Sequence, residues 1–232
     1  MVSVEICAST IRDVAVAMEA GAHRVELCSV WSVGGITPNV VAVEAAAAMG
    51  MPVRALIRPR EGSFVHSASE RSWAVEEAKV MMDCGAERVV VGALGEEGGL
   101  DQAYLEAMVN AVGAEALVWH RAIDASLQVQ EDVAALREFG VEEVLSSGGA
   151  VRAVDGVAQL QEMMASGLRV IAGGGVRPQD VASLAEAGVD AVHASCRKPS
   201  QGGECKLFDT TMNLVDYDLV CDLVDTVSSL HI

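Results

Sequence analysis

Basic side chains are scarce in this chain: 16 Lys and Arg stand against 33 Asp and Glu, a formal charge of −17. Such a field repels phosphate backbones and anionic headgroups, so neither nucleic acid nor a membrane is expected as a partner. No apolar run approaches the length of a membrane span. The first residues enter a strand pattern directly, without a basic segment followed by an apolar one, so no secretory leader is expected and the address is cytoplasmic by default. No pair of the six cysteines has C-x-x-C spacing, which removes local support for a zinc ribbon or a thioredoxin-like motif. Without a secretory context those cysteines do not form a disulfide framework either. No Pro- or Ser-rich linker interrupts the chain, and no organic cofactor motif stands out.

What is present is a repeated strand–helix phrase. Val4-Glu5-Ile6-Cys7 and Val25-Glu26-Leu27-Cys28 share the pattern V-E-(I/L)-C, with a helix-length segment between them. Period two is strand geometry, so the aliphatic pair of each quartet faces one way and its Glu–Cys pair the other. Strands are expected at 2–7, 23–28, 52–57, 88–92, 116–119, 143–146, 168–172 and 191–194. Helices are expected near 10–19, 39–49, 69–83, 101–112, 129–138, 153–165, 178–186 and 215–229. Several helices run into G-(A/V), as at Gly21, Gly85, Gly140 and Gly188, the sign of a left-handed glycine cap. With 51% of the residues hydrophobic, a sizeable core is available. Eight such units in 232 residues predict an α/β fold, a single-domain (β/α)₈ TIM barrel over 1–232, with one irregular stretch at 196–209.

Barrel topology collects functional groups where strands end and βα loops begin. Cys7, Cys28, Arg58, Arg60, the run His120-Arg121-Ala122-Ile123-Asp124, Ser147-Gly148, Gly173-Gly174 and His193 all fall there. The opposite strand ends show no comparable cluster. Buried Glu5 and Glu26 require partners, and either Arg58 or Arg121 across the barrel could neutralise them in a purely structural network. Alternatively Glu5, Glu26, His120 and Asp124 are acid–base candidates in an enzyme for a small anion, phosphorylated or not. Its anion site is then expected from Arg58, Arg60, Arg121, His193 and the backbone of Ser147, Gly148, Gly173 and Gly174.

The cysteines divide. Cys84 and Cys221 fall at helix positions that suit small core residues, as do the pairs Met81-Met82 and Met163-Met164. Cys7 and Cys28 lie on neighbouring strands about 5 Å apart. Closure of the barrel sets strand 8 beside strand 1, which is expected to bring Cys196 near Cys7. Two or three thiolates suit a soft monovalent ion such as Cu(I).

Taken together, Val4–Cys7, Arg24–Cys28, Gly34-Gly35-Ile36-Thr37-Pro38, Ile57-Arg58-Pro59-Arg60, Trp119–Asp124, Leu145–Gly148, Ala172–Val176 and Val192–Ser195 resemble the CutC family, named for copper homeostasis. The resemblance implies a TIM barrel, a role in copper trafficking or tolerance, a homo-oligomer, and Cu(I) held at Cys7 and Cys28. One stretch departs from the family pattern. After R-P-R the family reads G-G-D-F-x-Y-S-D, whereas this chain reads Glu61-Gly62-Ser63-Phe64-Val65-His66-Ser67-Ala68. Cys196 and Cys205 lie where the resemblance fades and inherit no role from it.

Overall fold

The alternating pattern at Val4–Cys7 and Val25–Cys28 is realised as two parallel strands, and six more follow. A computed structural model describes residues 2–200, 207 and 210–230. The strands are β1 (Ser3–Ala8), β2 (Arg24–Leu27), β3 (Val53–Leu56), β4 (Arg88–Val91), β5 (Leu117–Trp119), β6 (Glu143–Ser146), β7 (Arg169–Gly173) and β8 (Ala191–Ala194). They form a closed barrel in sequence order, with β8 pairing back onto β1. The helices are α1 (Ile11–Glu19), α2 (Val40–Ala48), α3 (Ala68–Asp83), α4 (Gln102–Val112), α5 (Val129–Glu138), α6 (Val157–Ala165), α7 (Val181–Ala187) and α8 (Tyr217–Ser228). None of them is long and apolar enough to cross a membrane, among the described residues.

Local chemistry sets where the helices start and stop. Thr10, Asn39, Ser67, Asp101 and Asp216 cap α1, α2, α3, α4 and α8 by accepting a backbone N–H. The predicted glycine ends are confirmed: φ is 83° at Gly21, 94° at Gly85, 82° at Gly140 and 99° at Gly188. Two predicted helices begin later than expected. Residues 153–156 and 178–180 are 3₁₀ turns that lead into α6 and α7. Gly156 is pressed so closely against the turn after β6 that an added Cβ would lie 2.0 Å from the Ser147 carbonyl oxygen.

Two apolar layers result. The larger fills the space between strands and helices and includes Val4, Ile6, Trp119, Tyr104 and Met108. Cys84 and Cys221 pack against it, as predicted, and Met81 and Met163 are buried within it. The smaller layer is inside the barrel, made of Cys7, Cys28, Leu56, Val90, Val118, Leu145, Ile171 and Ala191, one residue from each strand or its end. Beneath it lies a ladder of charges that corrects the expectation of nothing comparable at the lower strand ends. Glu5 pairs with Arg24 Nε at 2.6 Å and Arg54 Nη1 at 3.4 Å; Glu143 pairs with Arg54 Nη1 at 2.7 Å and Arg169 Nη2 at 2.9 Å. The Arg54 contacts are ionic, without hydrogen-bond alignment at Nη1.

Within the described residues of the stretch at 196–209, a strand replaces part of the expected irregular chain. Residues Arg197–Ser200 form β9, which pairs antiparallel with β10 (Met212–Val215). Arg197 ties this ribbon to the barrel, with Nη1 3.2 Å from the Asp13 carboxylate and Nη2 donating to the Cys7 carbonyl at 2.9 Å. Cys205 lies outside the described residues.

Candidate functional site

Parallel pairing fixes the floor of the site. In the β1–β2 register Cys7 stands opposite Glu26, and in the β1–β8 register Glu5 stands opposite His193. One donor atom each from Cys7, Glu26 and His193 falls within 4.8 Å of the others. Above them a cavity of about 730 Å³ opens among the loops at the carboxyl ends of the strands. Cys7, Glu26 and His193 line it, as do Arg58, His120, Arg121, Asp124 and Gly174. Arg60, Ser147, Gly148, Gly173 and Cys28 do not.

Charge at the floor is strongly organised. The Glu5 carboxylate is fully buried, which works against ionisation. The His193 ring at 2.8 Å, with Arg24 and Arg54, overrides burial and holds its pKa well below the usual range. Burial also opposes a charge on His193, but Glu26, Cys7 and Glu5 outweigh it and raise the imidazole well above its usual value. Glu26 is the loosest member of this group, its carboxylate 4.0 Å from the His193 ring. Its Oε2 is buried and has no hydrogen-bond partner, and burial drives the carboxyl up to about 7 despite the attraction of His193. A carboxyl that titrates near neutrality beside a charged imidazole is suited to proton transfer.

The sulfurs of Cys7 and Cys28 are 3.9 Å apart. That contact, and then burial, push the Cys7 thiol well above its usual range. Two metal–sulfur bonds of about 2.3 Å span up to roughly 4.6 Å, so one ion fits between the sulfurs in a bent arrangement. Cys28 sits behind Gly35, where an added Cβ would lie 3.2 Å from its Sγ, so the approach from the cavity is over Cys7. Cys196 is not part of this group. It lies two residues beyond β8, and its side chain packs into the layer outside the barrel, where burial and then Asp216 and Asp222 raise its thiol to about 12.

The remaining predicted residues are differently employed. Neither Arg58 nor Arg121 is an ion-pair partner of Glu5 or Glu26; Arg24 and Arg54 take that place at Glu5, and Glu26 faces the His193 ring at 4.0 Å. Arg58 donates to the carbonyls of Val33, Gly35 and Gly62, and Arg60 to Glu70 and three carbonyls of its own loop. Both guanidinium groups brace loops. Asp124 accepts from Arg121 Nε, Ser146 Oγ, the Ser147 N–H and Oγ, and the Gly149 N–H. The protein's own carboxylate therefore fills the turn after β6. Gly173 serves packing, since a Cβ there would lie 2.5 Å from Leu145. The imidazole of His120 is buried, accepts the Ala122 N–H at Nδ1, and is depressed by burial and then by Arg58 to about 3.

Three further residues shape the site without having been singled out. Arg54 was readable, because period two along Val53-Arg54-Ala55-Leu56 places it on the face of Leu56. Arg24 follows from the same rule applied to β2. Trp31 stands at the mouth with the Arg197 guanidinium 5.0 Å from its ring centroid, and only its rarity in this chain hinted at a role.

A sequence model of the CutC family matches residues 2–198. The chain belongs to the CutC family. A CutC family protein of Agrobacterium fabrum is 35% identical over 196 residues, which is 83% of this chain and 78% of that protein. One of Chromobacterium violaceum is 36% identical over 198 residues, 83% of this chain and 80% of its own length. Among solved structures, a Streptococcus agalactiae protein described as copper homeostasis protein CutC superposes with a TM-score of 0.78 at 24% identity, covering 83% of this chain and 98% of that one. At that identity the likeness speaks for the barrel. The CutC match holds every residue of the floor and of the cavity wall, and ends as β9 begins.

Proposed function

We propose that the barrel mouth binds a small anionic organic molecule and that Glu26 and His193 move protons on it. The observation that carries this is the unpartnered carboxylate oxygen of Glu26, buried at the floor of a cavity of about 730 Å³ beside a charged imidazole. A single ion needs far less room, whereas that volume is ordinary for a metabolite site. Glu5 holds His193 through Nδ1 and thereby orients the other face of the ring. The excess of acidic residues over the whole chain speaks against nucleic acid as the partner. The test uses small carboxylates and phosphorylated compounds that raise the unfolding temperature, each then incubated with protein in deuterated water. Wild type should exchange a ligand hydrogen for deuterium, and Glu26→Gln should bind the same ligand without exchanging it. Bound ligand with no exchange in wild type would defeat the acid–base reading.

A second reading is favoured by the sulfur pair. Cu(I), as cargo rather than as a catalytic ion, would be held by Cys7 and Cys28, in keeping with the name of the Streptococcus agalactiae protein. Binding must displace thiol protons, so affinity should rise with pH. Competition with a Cu(I) chelator should show strong binding to wild type and its loss in Cys7→Ser and in Cys28→Ser, with Cys84→Ser and Cys221→Ser unchanged. A Cys7/Cys28 double variant that holds copper as tightly as wild type would remove the thiolate site.

A further inference from the structure

The donors left over at the mouth are not distributed evenly. After β6 the turn N–H groups are bonded to Asp124 and Ser146. After β7 the situation is reversed. Gly174 and Gly175 adopt φ of +126° and +59°, and among the described residues the N–H groups of Gly174, Gly175 and Val176 meet no protein acceptor. The same holds for the N–H of Ser195, which follows β8. All four residues line the cavity.

Arg121 completes this set. Its Nε and Nη2 are bound to Asp124 and Ser147, which fixes the guanidinium and leaves Nη1 without an acceptor among the described residues. The group lies against the turn: a Cβ built on Gly174 would be 3.5 Å from Arg121 Cζ. Asp124, the nearest carboxylate, is already held by Arg121 Nε, Ser146 Oγ and the Ser147 and Gly149 N–H groups and does not serve a cation from the ligand.

A second, independent observation is the His120 ring, which is 4% exposed. Because Nδ1 accepts the Ala122 N–H, the proton resides on Nε2, and that atom is buried and has no partner. The ring fits only because residue 92 is glycine; a Cβ there would lie 2.3 Å from Nδ1. An unpartnered donor in a cavity wall calls for an acceptor from the ligand.

We infer that the turn after β7, with Ser195 and Arg121, is a subsite for the phosphate group of a small phosphomonoester, and that His120 donates to an uncharged oxygen of the same molecule. This deepens the proposed reading of the mouth as a small-molecule site and rests on it. Donors converging from two successive turns and one guanidinium suit the three terminal oxygens of a phosphate better than the two coplanar oxygens of a carboxylate. A neutral imidazole N–H suits a carbonyl or hydroxyl oxygen. Phosphate binding by the late βα loops is also where barrel geometry permits close backbone approach.

The experiment measures phosphorus-31 line broadening and unfolding temperature with inorganic phosphate, with small sugar and polyol phosphates, and with their dephosphorylated counterparts. The proteins are wild type, Gly175→Asp and Gly175→Asn. Asp and Asn both tolerate the left-handed conformation of residue 175, and a Cβ there has room, its nearest contact being Arg152 Cγ at 3.4 Å. Phosphorylated compounds should bind wild type in preference to their counterparts. Gly175→Asp should weaken them by roughly tenfold or more, the scale of one lost charge-assisted hydrogen bond, while Gly175→Asn retains most of the binding. Equal binding of dephosphorylated counterparts, or equal loss in the Asn variant, overturns the phosphate subsite. If carboxylates bind and exchange while no phosphorylated compound does, the subsite falls and the acid–base reading stands. If no anion of either kind binds, both fall.

Discussion

At Glu26 the surroundings oppose the charge that the residue would carry in water. Its carboxyl titrates at about 7 in the folded protein, burial being the first cause, against 4.5 for an unperturbed glutamate. The folded state therefore binds this proton more tightly than the unfolded chain does. The resulting stability is fully present below pH 4.5 and is lost as pH rises to about 7. A difference of this size corresponds to about 3 kcal/mol. Glu26→Gln removes the ionisation and keeps the shape. The variant should match wild type at pH 4.5 and exceed it by about 2–3 kcal/mol at pH 8, measured by denaturant unfolding at both values. Equal stabilities at pH 8 would mean that Glu26 has a partner in solution that the fold does not supply. A residue that weakens its own fold at neutral pH is what the proposed acid–base role of Glu26 calls for.

Among the elements, the strands and helices were legible because each rests on a local rule. Alternation at Val4–Cys7 placed Glu5 and Cys7 inside, and the glycines at 21, 85, 140 and 188 marked helix ends that the backbone confirms. The turns were harder to read. Ser146-Ser147-Gly148-Gly149 and Gly173-Gly174-Gly175 look alike as glycine-rich stretches, yet the first is closed by Asp124 and the second is open. The difference lies in a carboxylate more than twenty positions away in the chain, which no local pattern reveals. The arginines show the same limit. Arg58 and Arg121 both follow a strand, but three loop carbonyls occupy the first, whereas Arg121 leaves Nη1 without an acceptor among the described residues. The β9–β10 ribbon was missed for a related reason. It gains its place through Arg197, which reaches Asp13, the Cys7 carbonyl and the face of Trp31, all distant in sequence.

On the scale of the whole molecule, closure of the barrel is what converts eight separate strands into one site. It seats β8 against β1 and so delivers His193 to Glu5. Closure also stacks two unlike layers along the axis: charges below, then cysteines and aliphatic side chains under the cavity. The lower layer is a continuous run from Arg24 through Glu5, Arg54 and Glu143 to Arg169, drawing on five of the eight strands. Arg54 is its pivot, 4% exposed at its side chain and shared between two carboxylates. Removing one member of a buried ion network costs about 3–5 kcal/mol, because the charges left behind remain desolvated. Removing a charge of each sign together is often close to neutral. Arg54→Met should therefore lower stability by about 3–5 kcal/mol at pH 7, and Arg54→Met combined with Glu143→Met should recover roughly half of that loss or more. Denaturant unfolding of both single variants and the double variant closes the cycle. A loss below about 1 kcal/mol for Arg54→Met would put its worth at that of a surface pair. The floor that holds Glu5 and His193 in place would then have to be sought in the aliphatic layer above it.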